Sequence, residues 1–202
     1  MNLSVLFERV LALIDPYYES KGIFVLSVEG IGFKPYIDIL SALKIRYVIK
    51  TDNDIIKMPR TNPVRYRQAG FRRINDLINY INLIDEADTI PVNDDLSEND
   101  ITPDHPRRYY DENIDIIDNI RYDCRLYLSH CDLEEDIGEC IEDIRFCELL
   151  EENTVSDCIS RLKTKKQHMM VELANKLSDS DCRTIYNHYN FACLKAVCND
   201  TD

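Results

Sequence analysis

The spacing of apolar residues in the first 55 positions predicts helices that alternate with short buried strands. Apolar residues recur at helical spacing over residues 3–14, and Asp15-Pro16 ends that helix. The β-branched and aromatic run at 23–28 is typical of a buried parallel strand. An amphipathic helix follows at 33–43, and the next predicted strand is 46–50. This alternation favours the α/β class, with a parallel sheet and crossover helices.

The rest of the chain is expected to be mostly helical, with one more short strand at 125–129. The predicted helices are 66–84, 111–120, one that opens at Asp132, 155–177 and 179–197. We therefore expect a parallel sheet with flanking helices and a helical C-terminal extension.

An acidic stretch separates these regions. Residues 85–104 contain eight acidic residues, two prolines and no basic residue. Such a composition is typical of a solvated loop or a disordered linker. We expect an acidic loop or linker at 85–106 between a first lobe, 1–84, and a second lobe, 107–202.

The charge of the chain is unevenly distributed. Lys and Arg total 24 against 37 Asp and Glu, and a uniformly acidic surface with the resulting net charge of −13 would repel a phosphate backbone. Residues 57–73, however, contain no acidic side chain. The basic residues of this stretch are Lys57, Arg60, Arg65, Arg67, Arg72 and Arg73. The net charge therefore excludes only tight, indiscriminate coating of DNA.

The 202 residues fit one domain of ordinary size, and no apolar run reaches the roughly 18 residues that a membrane span needs. Without a signal peptide, we expect a cytoplasmic protein with no membrane partner. All eight cysteines lie in the second half and none forms a Cys-x-x-Cys pair, which favours reduced thiols packed as small apolar residues. The alternative is a zinc site built from His130, Cys131 and Cys140.

Two acidic clusters follow predicted strands. Asp52-Asn53-Asp54 closes the second strand, and alternate residues of an extended backbone share one side. Ligands bind at the carboxyl ends of strands in open α/β sheets, and two carboxylates there suit Mg²⁺ or Mn²⁺. The alternative is an ordinary turn, because Asp and Asn are common turn residues.

The second cluster, residues 130–136, follows the 125–129 strand. Its acids either cap a helix N-terminus or face the first cluster across a crevice and hold two metals about 4 Å apart. Lys163, Lys165 and Lys166 on the next helix either form a solvated basic face, or include one lysine that stabilises charge on a transferring phosphoryl group.

Other nucleotide-binding and hydrolase motifs are absent from the sequence. There is no Gly-x-x-x-x-Gly-Lys-Ser/Thr loop, and Gly30-Ile31-Gly32 lacks the third glycine of a dinucleotide fingerprint. A serine hydrolase would need a nucleophile elbow, which the chain also lacks. An ATPase of this kind and a serine esterase are therefore disfavoured.

The run GIFVLSVEGIGFKPYIDILSALKIRYVIKTDND resembles the Toprim segment of the OLD (overcoming lysogenization defect) family of endonucleases, which includes antiphage nucleases. Further stretches fit the same family in the same order: RYRQAGFRRI, LYLSHCDLEEDI, RLKTKKQHMMVEL and FACLKAV. The resemblance thus covers most of the chain. It implies a Toprim fold and a module that nicks or cleaves DNA with Mg²⁺ or Mn²⁺.

The resemblance also assigns site residues. It implies that Asp52 and Asp54 are paired metal ligands, that Glu134 and Asp136 are later acidic ligands, and that Lys166 is the active-site lysine. Glu8 matches the second acid of the family's opening Glu-Gly-x-x-Glu motif, as a metal ligand and catalytic residue. For a nuclease, the arginines expected to hold the DNA backbone without reading bases are Arg60, Arg65, Arg67, Arg72 and Arg73.

Three departures from the family pattern stand out. Ser4 replaces the first acid of the opening motif, and Val5 replaces its glycine. Glu29-Gly30 looks like the missing pair but lies only 23 residues before Asp52, on the second strand, and we interpret it as a false match. The ATPase domain that normally precedes the module is absent, so we expect a freestanding or truncated module.

Two functions from different classes remain. The first is a metal-dependent endonuclease that acts on DNA. The second is a catalytically impaired interaction module that regulates a larger nuclease or ATPase. Either one would work with an ATPase-domain protein or a second copy as its partner, whereas a Toprim primase or topoisomerase is disfavoured by the C-terminal acidic and lysine motifs.

Overall fold

A computed structural model describes residues 4–28, 32–81, 89–102 and 104–199. The α-helices are α1 (Ser4–Ile14), α2 (Phe33–Ala42), α3 (Ala69–Ile81), α4 (His105–Glu112), α5 (Ile114–Cys124), α6 (Leu133–Cys140), α7 (Asp143–Leu150), α8 (Val155–Thr164), α9 (Lys166–Lys176), α10 (Asp179–Asn187) and α11 (Ala192–Asn199). The strands are β1 (Ile49–Thr51), β2 (Ile55–Lys57), β3 (Tyr66–Gln68) and β4 (Leu126–Leu128). Short 3-10 helices lie at Glu19–Lys21, Glu98–Asp100 and Tyr189–Phe191.

The chain forms two compact units. The sheet unit is residues 33–132, and the helical unit combines residues 1–32 with 133–202. The boundaries between the units lie at 32/33 and 132/133, and not at the expected acidic linker, 85–106, both flanks of which belong to the sheet unit. The assignment of 1–84 and 107–202 as two parts of a Toprim domain stays a prediction.

The sheet unit is built on a parallel pair of strands. β1 and β4 pair in parallel, with Ile49 opposite Leu126 and Thr51 opposite Leu128. Helix α3 packs on β4, and its buried Phe71, Ile74 and Leu77 share one hydrophobic cluster with residues of β1, β4 and α5. The predicted α/β class, with a parallel sheet and flanking helices, is confirmed.

A β-hairpin replaces the start of one predicted helix. Residues 66–68 form β3, antiparallel to β2, and α3 begins only at Ala69. The physical reason is that the buried face of α3 starts at Gly70 and Phe71, so residues 66–68 precede it and gain nothing from helical periodicity. Residues 82–84 of that predicted helix lie outside the described residues.

The acidic stretch docks on the sheet unit through two apolar residues, while most of its described residues, 89–102 and 104, are exposed. Ile90 and Leu96 are both only 2% exposed, and Leu96 forms an antiparallel bridge with Tyr66 of β3. Acidic composition predicted a solvated loop, but two well-placed apolar residues are enough to dock it. Residues 85–88 and Pro103 lie outside the described residues.

The strand predicted at 23–28 is not part of any sheet that the structure describes. Ile23 is buried, whereas Phe24 is 78% and Leu26 is 61% exposed. Burial of the side chains at 23–26 alternates as it does in a strand, but within the described residues this run pairs with no other strand. The Glu29-Gly30 pair that follows it lies outside the described residues.

The helical unit packs α1 against α9 and α10, and α6 against α8. The helix predicted over 3–14 is confirmed from Ser4 onward. The single helix predicted at 155–177 is divided at Lys165, whose backbone (φ −122°, ψ 39°) leaves the helical region. Thr164 Oγ1 donates to the Ser160 carbonyl, four residues back, at 2.8 Å, a contact that bends helices.

The predicted 179–197 helix is likewise divided, by a 3-10 turn at Tyr189–Phe191. All eight cysteines are free thiols, most of them buried. None of the helices in the described ranges has the length and apolarity to cross a membrane.

Candidate active site

The Asp52-Asn53-Asp54 turn is held by its central residue. Asn53 is only 3% exposed, and its backbone N–H donates to the Cys131 carbonyl at 2.7 Å. Its side-chain amide donates to the carbonyls of His130, at 3.1 Å, and Pro106, at 3.0 Å. These bonds join the ends of the parallel strands β1 and β4, so the turn is rigid while Asp52 and Asp54 stay half-buried on either side of it.

Gly70, near the N-terminus of α3, allows the helix to approach this turn. A Cβ atom at position 70 would lie 2.5 Å from the Asn53 Cα atom and 2.8 Å from the Asp52 carbonyl oxygen. The Gly70 N–H also donates to the Asp54 carbonyl at 3.0 Å. Sequence patterns do not point to the roles of Asn53 and Gly70. The one available signal is a glycine at the start of a helical run, which is compatible with a close approach of the helix to another segment.

Arg73, one turn further along α3, contacts the same turn. Its Nη2 lies 2.8 Å from Asp54 Oδ1, and its Nη1 donates to Thr51 Oγ1 at 2.6 Å and to the Asp52 carbonyl at 3.1 Å. Its side chain is 14% exposed. The structure thus places this residue, which we expected on DNA, against an acidic turn whose negative charge it balances.

Two acids of the second cluster, Glu134 and Asp136, lie in the helical unit, in the first turn of α6. Glu134 and Asp136 are almost fully buried, at 1% and 0% exposure. A buried carboxylate is costly unless a cation or hydrogen bonds compensate it. Lys166 Nζ lies 2.9 Å from Glu134 Oε1, so the sequence-predicted lysine and glutamate are brought together.

The break at Lys165 explains how one lysine of the basic run reaches Glu134. Lys166 is the first residue of α9, whereas Lys163 lies in the last turn of α8 and pairs with the half-buried Glu135 at 2.8 Å. The two lysines therefore have different partners: Lys163 and Lys165 lie on an exposed face, as one alternative expected, whereas Lys166 reaches the buried Glu134.

Glu8 is half-buried on α1. Burial raises the pKa of the Tyr18 phenol, the hydrogen bond to Glu19 raises it further, and the Glu8 carboxylate adds to the same effect. Ser4 begins α1. The structure therefore places Glu8 near Tyr18 within the helical unit.

The predicted DNA-binding arginines differ in their surroundings. Arg65 pairs with Asp95 at 3.1 Å, and Arg72 pairs with Asp94 at 2.7 Å. Arg67 is half-buried on β3, and Arg60 is exposed in the loop of the β2–β3 hairpin. Two of the five thus contact the acidic stretch.

The donor chemistry of both clusters fits a hard divalent cation. Carboxylate oxygens are the ligands that Mg²⁺ and Mn²⁺ prefer, and the predicted ligands are two carboxylates in each cluster: Asp52 and Asp54, and Glu134 and Asp136. Within the described ranges, however, no three His, Cys, Asp or Glu side chains are gathered in the manner of a metal site. Arg73 and Lys166 contact one carboxylate of each cluster instead.

Comparison with known proteins finds similarity to the same family, with a family-model match over part of the chain. Residues 4–54 match the family model described as "Overcoming lysogenization defect protein-like, TOPRIM domain". The chain is 35% identical over 204 residues to the protein named Endonuclease GajA of Bacillus cereus (strain VD045). That similarity covers 96% of the chain and 32% of the relative, so the chain spans about a third of the relative's length.

Proposed function

We propose that this chain, whose residues 4–54 match the Toprim domain of the overcoming-lysogenization-defect type, is a divalent-metal-dependent endonuclease module that nicks or cleaves DNA. The observation that carries the proposal is the rigid Asp52-Asn53-Asp54 turn at the end of β1. Similarity to a protein named an endonuclease supports the same class of activity.

The acidic side chains would hold the metal. Asp52 and Asp54 would bind Mg²⁺ or Mn²⁺ in the sheet unit, and Glu8, Glu134 and Asp136 are the proposed ligands in the helical unit. When bound, such a cation polarises a phosphoryl oxygen and lowers the pKa of its water. Asn53 keeps the Asp pair in place, and Lys166 supplies positive charge for a transition state in which negative charge develops on oxygen.

The arginines would bind the phosphate backbone. Arg60, Arg65, Arg67 and Arg72 present planar guanidinium groups that match phosphate geometry and carry no sequence information. Arg73 is proposed for the same surface, although its present partner is Asp54. An ATPase-domain protein or a second copy of the chain is the proposed partner, and antiphage defence in the cytoplasm is the proposed setting.

The test is nicking of supercoiled plasmid by the purified chain in Mg²⁺ or Mn²⁺. Nicking should be lost on Asp52→Ala and retained on Asp123→Ala, which removes an exposed carboxylate from α5 in the same unit. Absence of nicking with both metals at low salt, alone and with an ATPase-domain partner, would overturn the catalytic proposal.

The second candidate is a catalytically impaired module that regulates a larger nuclease or ATPase. The observation in its favour is Ser4 at the start of α1, where the family motif has an acid. Calorimetric titration with Mn²⁺ separates the two candidates. Micromolar binding abolished by Asp54→Ala supports the endonuclease, whereas no binding at millimolar metal supports the regulatory module.

A further inference from the structure

Residues 93–96 lie along the β2–β3 hairpin as an additional extended segment, which we call the acidic strap. The Tyr66 N–H donates to the Leu96 carbonyl at 2.8 Å, and the Leu96 N–H donates back to the Tyr66 carbonyl at 3.0 Å. The Asn93 N–H donates to Gln68 Oε1 at 2.8 Å. The strap is therefore anchored by backbone bonds and by the buried Leu96 side chain, independently of its two carboxylates.

The carboxylates of the strap contact two arginines of the basic stretch. Asp95 Oδ1 lies 3.1 Å from Arg65 Nε, and Asp94 Oδ2 lies 2.7 Å from Arg72 Nη1. The arginine side chains are 34% and 48% exposed, and those of Asp95 and Asp94 are 78% and 45% exposed. Ion pairs this open to water are weak, typically about 0–1 kcal/mol, and another anion can replace them.

We propose that the acidic strap is an internal competitor for the DNA backbone, which occupies Arg65 and Arg72 until a phosphate displaces its carboxylates. This inference rests on the proposed DNA-binding function and adds its regulation. A guanidinium binds carboxylate and phosphate oxygens through the same N–H donors, so the carboxylates at Arg65 Nε and Arg72 Nη1 compete with a phosphate for those donors. Each aspartate also repels an approaching phosphate at short range.

Replacement of the two strap aspartates by asparagine removes two negative charges from the surface. Because Leu96 and the backbone bonds hold the segment, Asp94→Asn and Asp95→Asn should leave the strap docked while they release both arginines. Release of an arginine adds one phosphate contact, which steepens the dependence of log K on log salt by about 0.9 per contact.

The experiment measures binding of a fluorescent duplex DNA by anisotropy, in EDTA so that no cleavage occurs. Asp94→Asn/Asp95→Asn should bind at least fivefold more tightly than the unaltered chain at low salt, with a slope steeper by about 1–2. The matched control is Glu98→Gln, which removes one exposed charge just beyond the strap and should change affinity by less than twofold. Adding Arg65→Gln to the double variant should remove about half of the gain.

The outcomes separate this inference from the function on which it rests. If the unaltered chain binds DNA and the double variant binds no more tightly than Glu98→Gln, the competitor inference is wrong and DNA binding stands. An equal gain in the presence of Arg65→Gln and Arg72→Gln would also overturn it. If neither the unaltered chain nor the double variant binds DNA, both proposals fail.

Discussion

Arg73 Nη2 lies 2.8 Å from Asp54 Oδ1, so a cation from α3 neutralises one of the two carboxylates that follow β1. The same guanidinium bonds the Thr51 hydroxyl and the Asp52 carbonyl, so it also ties the helix to the end of the strand. Arg73 is thus a positioning residue for the Asp pair, in addition to its proposed contact with the DNA backbone.

Replacement of Arg73 should destabilise the sheet unit. Arg73→Gln removes the ion pair and leaves partly buried acceptors unsatisfied, at a cost of about 1–3 kcal/mol in the free energy of unfolding. Arg73→Lys keeps the charge but not the fork of donors, and should cost less. Urea unfolding followed by circular dichroism measures both, with Arg60→Gln as an exposed control that should change stability little. Equal stability of Arg73→Gln and Arg60→Gln would contradict this role.

Gly70 should tolerate no side chain. Gly70→Ala would place Cβ 2.5 Å from the Asn53 Cα atom, so α3 or the Asp-Asn-Asp turn must move. Overpacking of this kind costs about 1–3 kcal/mol. The comparison is Gly138→Ala, whose Cβ would meet a Phe146 side-chain atom at 3.3 Å, a contact that a small side-chain adjustment relieves. Thermal melts of the two variants should show the larger loss for Gly70→Ala, and the reverse order would contradict the close approach.

Lys166 should matter more to stability than its neighbour Lys163. Lys166→Met removes the cation beside Glu134, whose side chain is 1% exposed, and leaves a buried carboxylate at a cost of about 2–3 kcal/mol. Lys163→Met removes a partner from Glu135, whose side chain is 25% exposed, and should cost well under about 1 kcal/mol. Chemical denaturation at neutral pH measures both. Adding Glu134→Gln to Lys166→Met should restore most of the lost free energy of unfolding. If stability does not recover, burial of the Glu134 charge is not the cause of the loss.

Asp181 should make the helical unit acid-sensitive. Burial raises the pKa of Asp181, but hydrogen bonds from Arg145 and Ser178 outweigh it, and the net pKa lies below the usual value of 3.8. A carboxyl group with a lowered pKa in the folded state stabilises the fold above its unfolded-state pKa, and this contribution is lost as the pH falls through the folded-state pKa.

The corresponding variant is Asp181→Asn, which also breaks the capping box of α10 with Ser178. We expect it to lose about 1–2 kcal/mol at pH 7 and to show a smaller further loss between about pH 4 and pH 2 than the unaltered chain. Urea unfolding across that pH range measures the difference. Asp143→Asn, an exposed acid in the first turn of α7, is the control and should keep the acid sensitivity of the unaltered chain.

The predictions from sequence succeeded where local periodicity was strong. Helix α1 and strand β4 lie where apolar spacing placed them, and the Asp pair follows β1 as expected. Each of these features depends on residues whose environment is set within a few positions along the chain.

Local patterns failed where a distant segment decided the outcome. Residues 66–68 pair with β2 and bridge to Leu96, thirty residues further along the chain, which no helical period could indicate. The break at Lys165 and the 3-10 turn at Tyr189–Phe191 divide helices whose apolar faces look continuous.

Sequence patterns are enough to predict the α/β class, the order of its main elements, and which acidic, lysine and arginine side chains could carry chemistry. Which charges pair depends on the folded structure: Arg73 with Asp54, Lys166 with Glu134, and the strap aspartates with Arg65 and Arg72. The physical reason is that hydrophobic periodicity reports which face of an element is buried, whereas an ion pair needs two segments, often far apart in sequence, to close to within 4 Å.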